Sequence, residues 1–100
     1  MSLQQILEST KLTSLTAEPK YLVILHNDDY TTSEFVIEVL VKFFNHDLTE
    51  ANEIMLKIQY EGSGVGGIYN FEIAETKAYQ AMKHAQKYGF PFKCTLESVS

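Results

Sequence analysis

The hydrophobic patterns along this chain of 100 residues predict an α+β fold: a small three-stranded antiparallel sheet packed with three helices, in the order β-α-α-β-α-β. Three observations point there. Tyr21 to His26 is rich in β-branched and aromatic residues and too short for an independent helix, and the closing FPFKCTLESV alternates its faces as a strand does. Three longer stretches repeat their apolar residues at helical spacing. Strands and helices do not alternate as regular βαβ units, which favours helices gathered on one face of the sheet.

Residues 1 to 19 are rich in Ser, Thr, Gln and Glu with scattered leucines, and end at Pro19; they are read as a flexible N-terminal extension before a domain over residues 20 to 100. The first strand, Tyr21 to His26, gives way to NDDYTTSEF, where Thr32 and Ser33 are both N-cap candidates. The first helix, about residues 33 to 45, carries Phe35, Val36, Ile37, Val39, Leu40, Val41, Phe43 and Phe44, with polar residues confined to one narrow stripe. Its apolar arc is far wider than the roughly 100° of a surface helix. Such a helix is either packed on several sides or lends part of its surface to a pocket.

The second helix runs from an N-cap at Thr49 to about Tyr60, with Ala51, Ile54, Met55 and Ile58 on one face. EGSGVGG reads as its end and a tight turn, and Val65 to Tyr69 as a short strand. The third helix, about Phe71 to Tyr88, buries Ala74, Ala78, Ala81, Met82 and Ala85. Glu72 and Glu75 near its start, and Lys83, His84 and Lys87 near its end, complement the helix dipole. Gly89 supplies the left-handed stop. The closing strand sets Phe92, Cys94 and Leu96 on one face.

Composition removes several function classes. Eight basic against thirteen acidic residues give a net charge of −5 with no basic stripe, so no nucleic-acid partner is expected. No apolar stretch approaches the ~20 residues of a membrane span, and MSLQQILESTKL lacks the pattern of a secretory leader. Cys94 is the only cysteine, so no internal disulfide forms, and a reducing cytoplasm is the expected location.

GSGVGG contains a formal G-x-G-x-x-G at Gly62, Gly64 and Gly67. A helix precedes it and a strand follows, the reverse of a dinucleotide site, so it reads as a helix end. His26, Asp28, Asp29, His46 and His84 show no metal-ligand spacing, and neither a metal nor any other cofactor is expected. Cys94 in an apolar strand and Ser63 among glycines have no identifiable base, so no enzymatic activity is expected. Asn27, Asp28 and Asp29 form a cluster of acceptors at a strand end, suited to an ammonium group. The same residues suit an Asx-type turn, and the two readings are compatible because a rigid turn preorganises a site.

The segments YLVILHNDDYTTSEFVIEVLVKFF, MLKIQYEGSGVGGIY, EIAETKA and FPFKCTLE resemble the ClpS family, bacterial adaptors that deliver N-end-rule substrates to the ClpAP protease. The resemblance spans about residues 20 to 98 and implies the same three-helix, three-stranded fold. It further implies that Asn27 and Asp28 hold the α-ammonium of a destabilising N-terminal residue (Leu, Phe, Tyr or Trp), with Asp29 supporting the loop. That residue's side chain would enter a pocket of Leu25, Thr31, Val36, Met55, Ile58 and Phe92. Glu72 and Lys77 match positions that dock on the N-terminal domain of the ClpA unfoldase, and the segment before Pro19 matches the extension that engages it. A solvated helix face is the alternative reading of Glu72 and Lys77.

The chain departs from the family pattern at three positions. Gln59 stands where a histidine commonly helps to bind the ammonium, Ser33 where a gating methionine is common, and Phe92 where leucine is usual. These positions bear on substrate preference, with Ile and Val less strongly excluded. A ClpS-like interaction domain without N-degron binding is the alternative function.

Overall fold

The structure, a computed structural model, describes residues 19–99 and holds six elements in the expected order: β1 (Lys20–His26), α1 (Ser33–Phe44), α2 (Leu48–Glu61), β2 (Ser63–Asn70), α3 (Phe71–Lys87) and β3 (Lys93–Ser98). Apart from Pro19, the expected extension lies outside the described residues. β1 is the central strand, antiparallel to β2 on one side and to β3 on the other.

Alternation along β1 decides which face is covered. Val23 and Leu25 are fully buried, whereas Leu22, Ile24 and His26 are only partly so. Alternate side chains of a strand point to opposite faces, so the helices cover the Val23 and Leu25 face. Across from these two, the register sets Gly67 and Gly64 in β2 and Leu96 and Cys94 in β3.

β2 departs from the sequence expectation. It begins at Ser63 rather than Val65, and of the glycines only Gly62, at φ +95°, ends α2. The reason is close approach of the helices. A Cβ on Gly64 would lie 3.0 Å from Ile58 Cγ1, and one on Gly66 would lie 2.8 Å from Leu25 Cδ1 and 3.1 Å from Phe44 Cδ1. Gly66 is also the extra residue of a bulge, because Val23 pairs with Gly67 and Ile24 with Val65. Its carbonyl accepts the His46 Nε2–H at 2.6 Å, which ties the loop after α1 to the bulge.

α1 starts where Thr32 Oγ1 accepts the Phe35 N–H (3.2 Å), so Thr32 rather than Ser33 is the cap. It buries Phe35, Val36, Val39, Leu40 and Phe44 and packs against α2, α3 and β2, which explains most of its wide apolar arc. Asn45, in the left-handed region at φ 59°, ends it.

α2 is capped by Asp47, two residues before the expected Thr49. Asp47 Oδ1 accepts the Glu50 N–H (2.8 Å) and Glu50 Oε1 accepts the Asp47 N–H (3.2 Å). Aspartate is the stronger cap, and the glutamate three residues on completes the reciprocal box.

α3 is capped by Asn70 and lays Ala74, Ala78, Ala81 and Ala85 inward. It stops at Lys87, with Gly89 at φ +74° as expected. His84, expected to complement the helix dipole, is only 9% exposed. Its Nε2–H donates to Glu38 Oε2 (2.8 Å) and its ring stacks on Phe35 at 5.4 Å, pinning α3 to α1. Phe92 precedes β3 and is buried rather than forming part of the strand.

Gly66→Ala should therefore destabilise the protein by about 1–3 kcal/mol, the usual cost of forcing a methyl into packed space. Urea unfolding measures this, and an unchanged midpoint would mean that Leu25 and Phe44 yield without cost.

Candidate functional site

Antiparallel pairing carries the loop after β1 to the end of α2. His26 pairs with Ser63, two residues beyond the last residue of α2, and the Asn27 N–H donates to the Gly62 carbonyl at 2.9 Å. The last two turns of α2 thus stand beside residues 27–33, and the first turn of α1 completes the enclosure. The result is a cleft of about 220 Å³ lined by Asn27, Asp28, Asp29, Thr31, Ser33, Val36, Met55, Ile58 and Gln59.

Val36, Met55 and Ile58 are buried and give the cleft an apolar floor. The remaining lining residues are polar. Leu25 and Phe92, expected in the same pocket, do not line it. Leu25 is fully buried, and Phe92 is 5% exposed and lies edge-on to Phe35, with ring centroids 6.1 Å apart. Both belong to the core cluster that also contains the floor residues. A larger depression of about 440 Å³, between Ile37, Leu48, Thr49, Asn52 and Glu53, has only one ionisable group. Convergent polar groups, not volume, single out the smaller cleft.

Asp28 organises the loop. Its Oδ1 accepts the N–H groups of Tyr30 (2.8 Å) and Thr31 (2.7 Å), and its Oδ2 accepts the Thr31 hydroxyl (2.7 Å). Burial pushes the carboxyl upward, but the Thr31 and Tyr30 hydrogen bonds outweigh it, so it titrates below its ordinary value of 3.8. The loop-supporting role that the resemblance implies for Asp29 is thus filled by Asp28. Among the described residues, the exposed side chains of Asn27, Asp29 and Gln59 make no hydrogen bond.

The other sequence candidates are scattered. Lys77 is not on a solvated face: its Nζ donates to the Phe43 carbonyl at 2.8 Å, closing the last turn of α1, and lies 5.3 Å from the centre of the Tyr69 ring. Glu72 is exposed beside Pro19, Asn70 and Phe71. Ser63 opens β2 instead of sitting in a turn. Burial pushes the Cys94 thiol up to about 12, which leaves it unreactive. Among the described residues no three of His, Cys, Asp and Glu gather into a metal site, and no helix is long and apolar enough to cross a membrane. Sequence reasoning missed the Lys77 cap and the His84–Glu38 pair, whose partners are 34 and 46 residues away along the chain. No local pattern signals either.

Fold and cleft together define a small α+β domain with a recess that is acceptor-rich at its rim and apolar at its floor. Residues 16–95 match the family model described as ATP-dependent Clp protease adaptor protein ClpS. The ATP-dependent Clp protease adapter protein ClpS of Vibrio atlanticus is 49% identical over 79 residues, covering 79% of this chain and 74% of that protein. Its counterpart in Desulfatibacillum aliphaticivorans is 48% identical over 89 residues, covering 88% and 86%. A solved structure, Agrobacterium tumefaciens ClpS2 bound to L-phenylalaninamide, superposes with a TM-score of 0.78 at 37% identity, covering 81% of this chain and 98% of that one. The chain belongs to the ClpS family of Clp protease adaptors.

Asp28→Ala removes three hydrogen bonds and should cost about 1–2 kcal/mol of stability at neutral pH. Because the folded-state carboxyl titrates low, this contribution is present above the ordinary carboxylate pKa and is lost as pH falls through the lowered value. The wild-type advantage in melting temperature should hold from pH 7 to about pH 5 and shrink below about pH 4. A constant advantage down to the acid limit would deny the carboxylate its role.

Proposed function

We propose that this chain is a non-enzymatic adaptor that grips the first residue of a protein by its free α-ammonium and bulky side chain, and passes that protein to the ClpA unfoldase of ClpAP. The observation that carries the reading is the junction, in one cleft, of an acceptor rim and an apolar floor. A carboxylate offers about four lone-pair positions, of which the turn occupies three at Asp28. The remaining position, with the side-chain oxygens of Asn27 and Gln59, makes three acceptors for the three N–H donors of an ammonium group.

The floor of Val36, Met55 and Ile58 takes the side chain. At about 220 Å³ the cleft is below the roughly 300–1,000 Å³ of small-molecule pockets and suits a single Leu, Phe, Tyr or Trp side chain. Burying such a group is worth about 1.5–3 kcal/mol and a charge-assisted contact a similar amount, so neither alone reaches the ~4.1 kcal/mol of millimolar binding and recognition needs both. The bound L-phenylalaninamide of the Agrobacterium relative supports this reading, because an amino-acid amide carries the ammonium, side chain and carbonyl of a peptide's first residue. Delivery would use the exposed Glu72, with Lys77 of the same helix, against the unfoldase's N-terminal domain. The setting is the cytoplasm.

A titration of a Phe-initiated peptide against its N-acetylated twin tests the reading. The free peptide should bind and the acetylated one should not. Binding of neither would favour the interaction domain without N-degron recognition that Gln59 suggests. Asp28→Asn should weaken binding roughly tenfold to a hundredfold. Glu72→Lys should leave peptide affinity intact and abolish delivery. It is a cleaner test than Lys77→Glu, which also removes a cap from α1.

Substrate range and pH dependence follow from Ser33 and Gln59. A small residue at position 33 leaves room near the ligand's Cβ, so Ile- and Val-initiated peptides should bind within about 1–3 kcal/mol of Leu, and Ser33→Met should widen the gap. None of the three histidines lines the cleft. Affinity should therefore show no step near the imidazole value of about 6.5, only the fall as the peptide amine deprotonates at about 7.7–8.0. Strict rejection of Ile and Val, unchanged in Ser33→Met, would refute the gate; a step at the imidazole value would refute the other half.

A further inference from the structure

A second cleft lies where the last turn of α1 meets the last three turns of α3. It encloses about 240 Å³ and is lined by Lys42, Phe43, Tyr79, Gln80, Lys83, His84 and Lys87. Three of the eight basic residues of a chain with net charge −5 converge there. Tyr79, Lys83 and Lys87 follow at intervals of four and so share one face of α3. Among the described residues, none of the three lysines has an ion-pair or hydrogen-bond partner. All are exposed, and Tyr79 beside them is 60% exposed.

Helix dipoles account for part of this. Lys42 and Lys87 sit in the last turns of α1 and α3, where a cation is favoured. They do not account for Lys83, one residue short of that last turn, whose Nζ lies 6.0 Å from the centre of the exposed Tyr79 ring. The acidic groups nearest along the two helices, Glu38 and Glu75, form no ion pair with these lysines, and Glu38 is bonded to His84 instead.

We propose that this α1–α3 cleft is a docking site for a short acidic segment of a partner protein, with two or three carboxylates meeting Lys42, Lys83 and Lys87 and an apolar side chain against Tyr79 and Phe43. Charge complementarity selects an acidic occupant. The chain's overall negative charge opposes long polyanions, and an aromatic wall with a glutamine amide suits a peptide better than a phosphate chain. The site is separate from the cleft at residues 27–33 and opposite to it in charge. One chain would thus hold a cationic chain terminus in one recess and an anionic segment in another.

The test uses the full chain and a fluorescein-labelled, C-amidated peptide Glu-Tyr-Glu-Asp-Leu-Glu, whose blocked N-terminus denies it the first cleft. Its control has Gln and Asn for Glu and Asp. Anisotropy should show binding of the acidic peptide only, weakening between low salt and about 0.15 M. In NMR titrations the shifted backbone amides should cluster at Lys42, Phe43 and residues 79–87. The triple variant Lys42→Gln, Lys83→Gln, Lys87→Gln should lose about tenfold in affinity and keep its affinity for a Phe-initiated peptide, its melting temperature falling only by what two lost helix-end cations explain. Equal binding of the control, shifts located elsewhere, or displacement by inorganic phosphate at matched charge would each overturn the proposal. Failure of Phe-peptide binding alone would bear only on the first cleft.

Discussion

The interaction on which the rest of the molecule depends is the close approach of α1 and α2 to β2. It is possible because β2 presents hydrogen atoms, at Gly64 and Gly66, where a strand normally presents side chains. Ile58 and Phe44 occupy the space this leaves, and Leu25 of the central strand reaches the same spot. Burial of these groups offsets the conformational cost of holding glycine in a strand. Because Gly62 turns α2 directly into β2, the same approach fixes the distance between the end of α2 and the loop after β1. The cleft is a by-product of that junction: its floor is core and its rim is the nearest turn.

How much of this was legible follows from which forces are local. The apolar periods of α1 and α3 and the β-branched run of β1 gave the element order, since burial writes itself into spacing. The glycine run was ambiguous for a physical reason. Glycine serves both left-handed turns and close approach, and only the partner element tells them apart; Gly62 proved the first kind, Gly64 and Gly66 the second. At the start of α2, Asp47 with Glu50 three residues on is a capping box legible in the sequence, and it outweighs the single hydroxyl of Thr49.

The cleft was legible in part. Nine residues suggested by family resemblance line one recess, yet Leu25 and Phe92 lie in the core instead. Resemblance aligns positions and does not say whether a large aromatic at position 92 turns into a pocket or toward Phe35. Lys77 and His84 were illegible, since each bonds to a residue of α1 far off in sequence. Both contacts close on α1, one at the Glu38 side chain and one at the last-turn carbonyl of Phe43.

The three hydrogen bonds at Asp28 have a kinetic consequence. A loop already locked by its own carboxylate does not have to be ordered by whatever enters the cleft, so recognition there is a docking of rigid parts. Little conformational entropy is lost on capture, and encounters are governed by orientation and diffusion, not by a search for the right loop shape. Discrimination then acts mostly through how long a ligand stays. A visitor that cannot supply the missing donor leaves early, and the surface is ready for the next one at once.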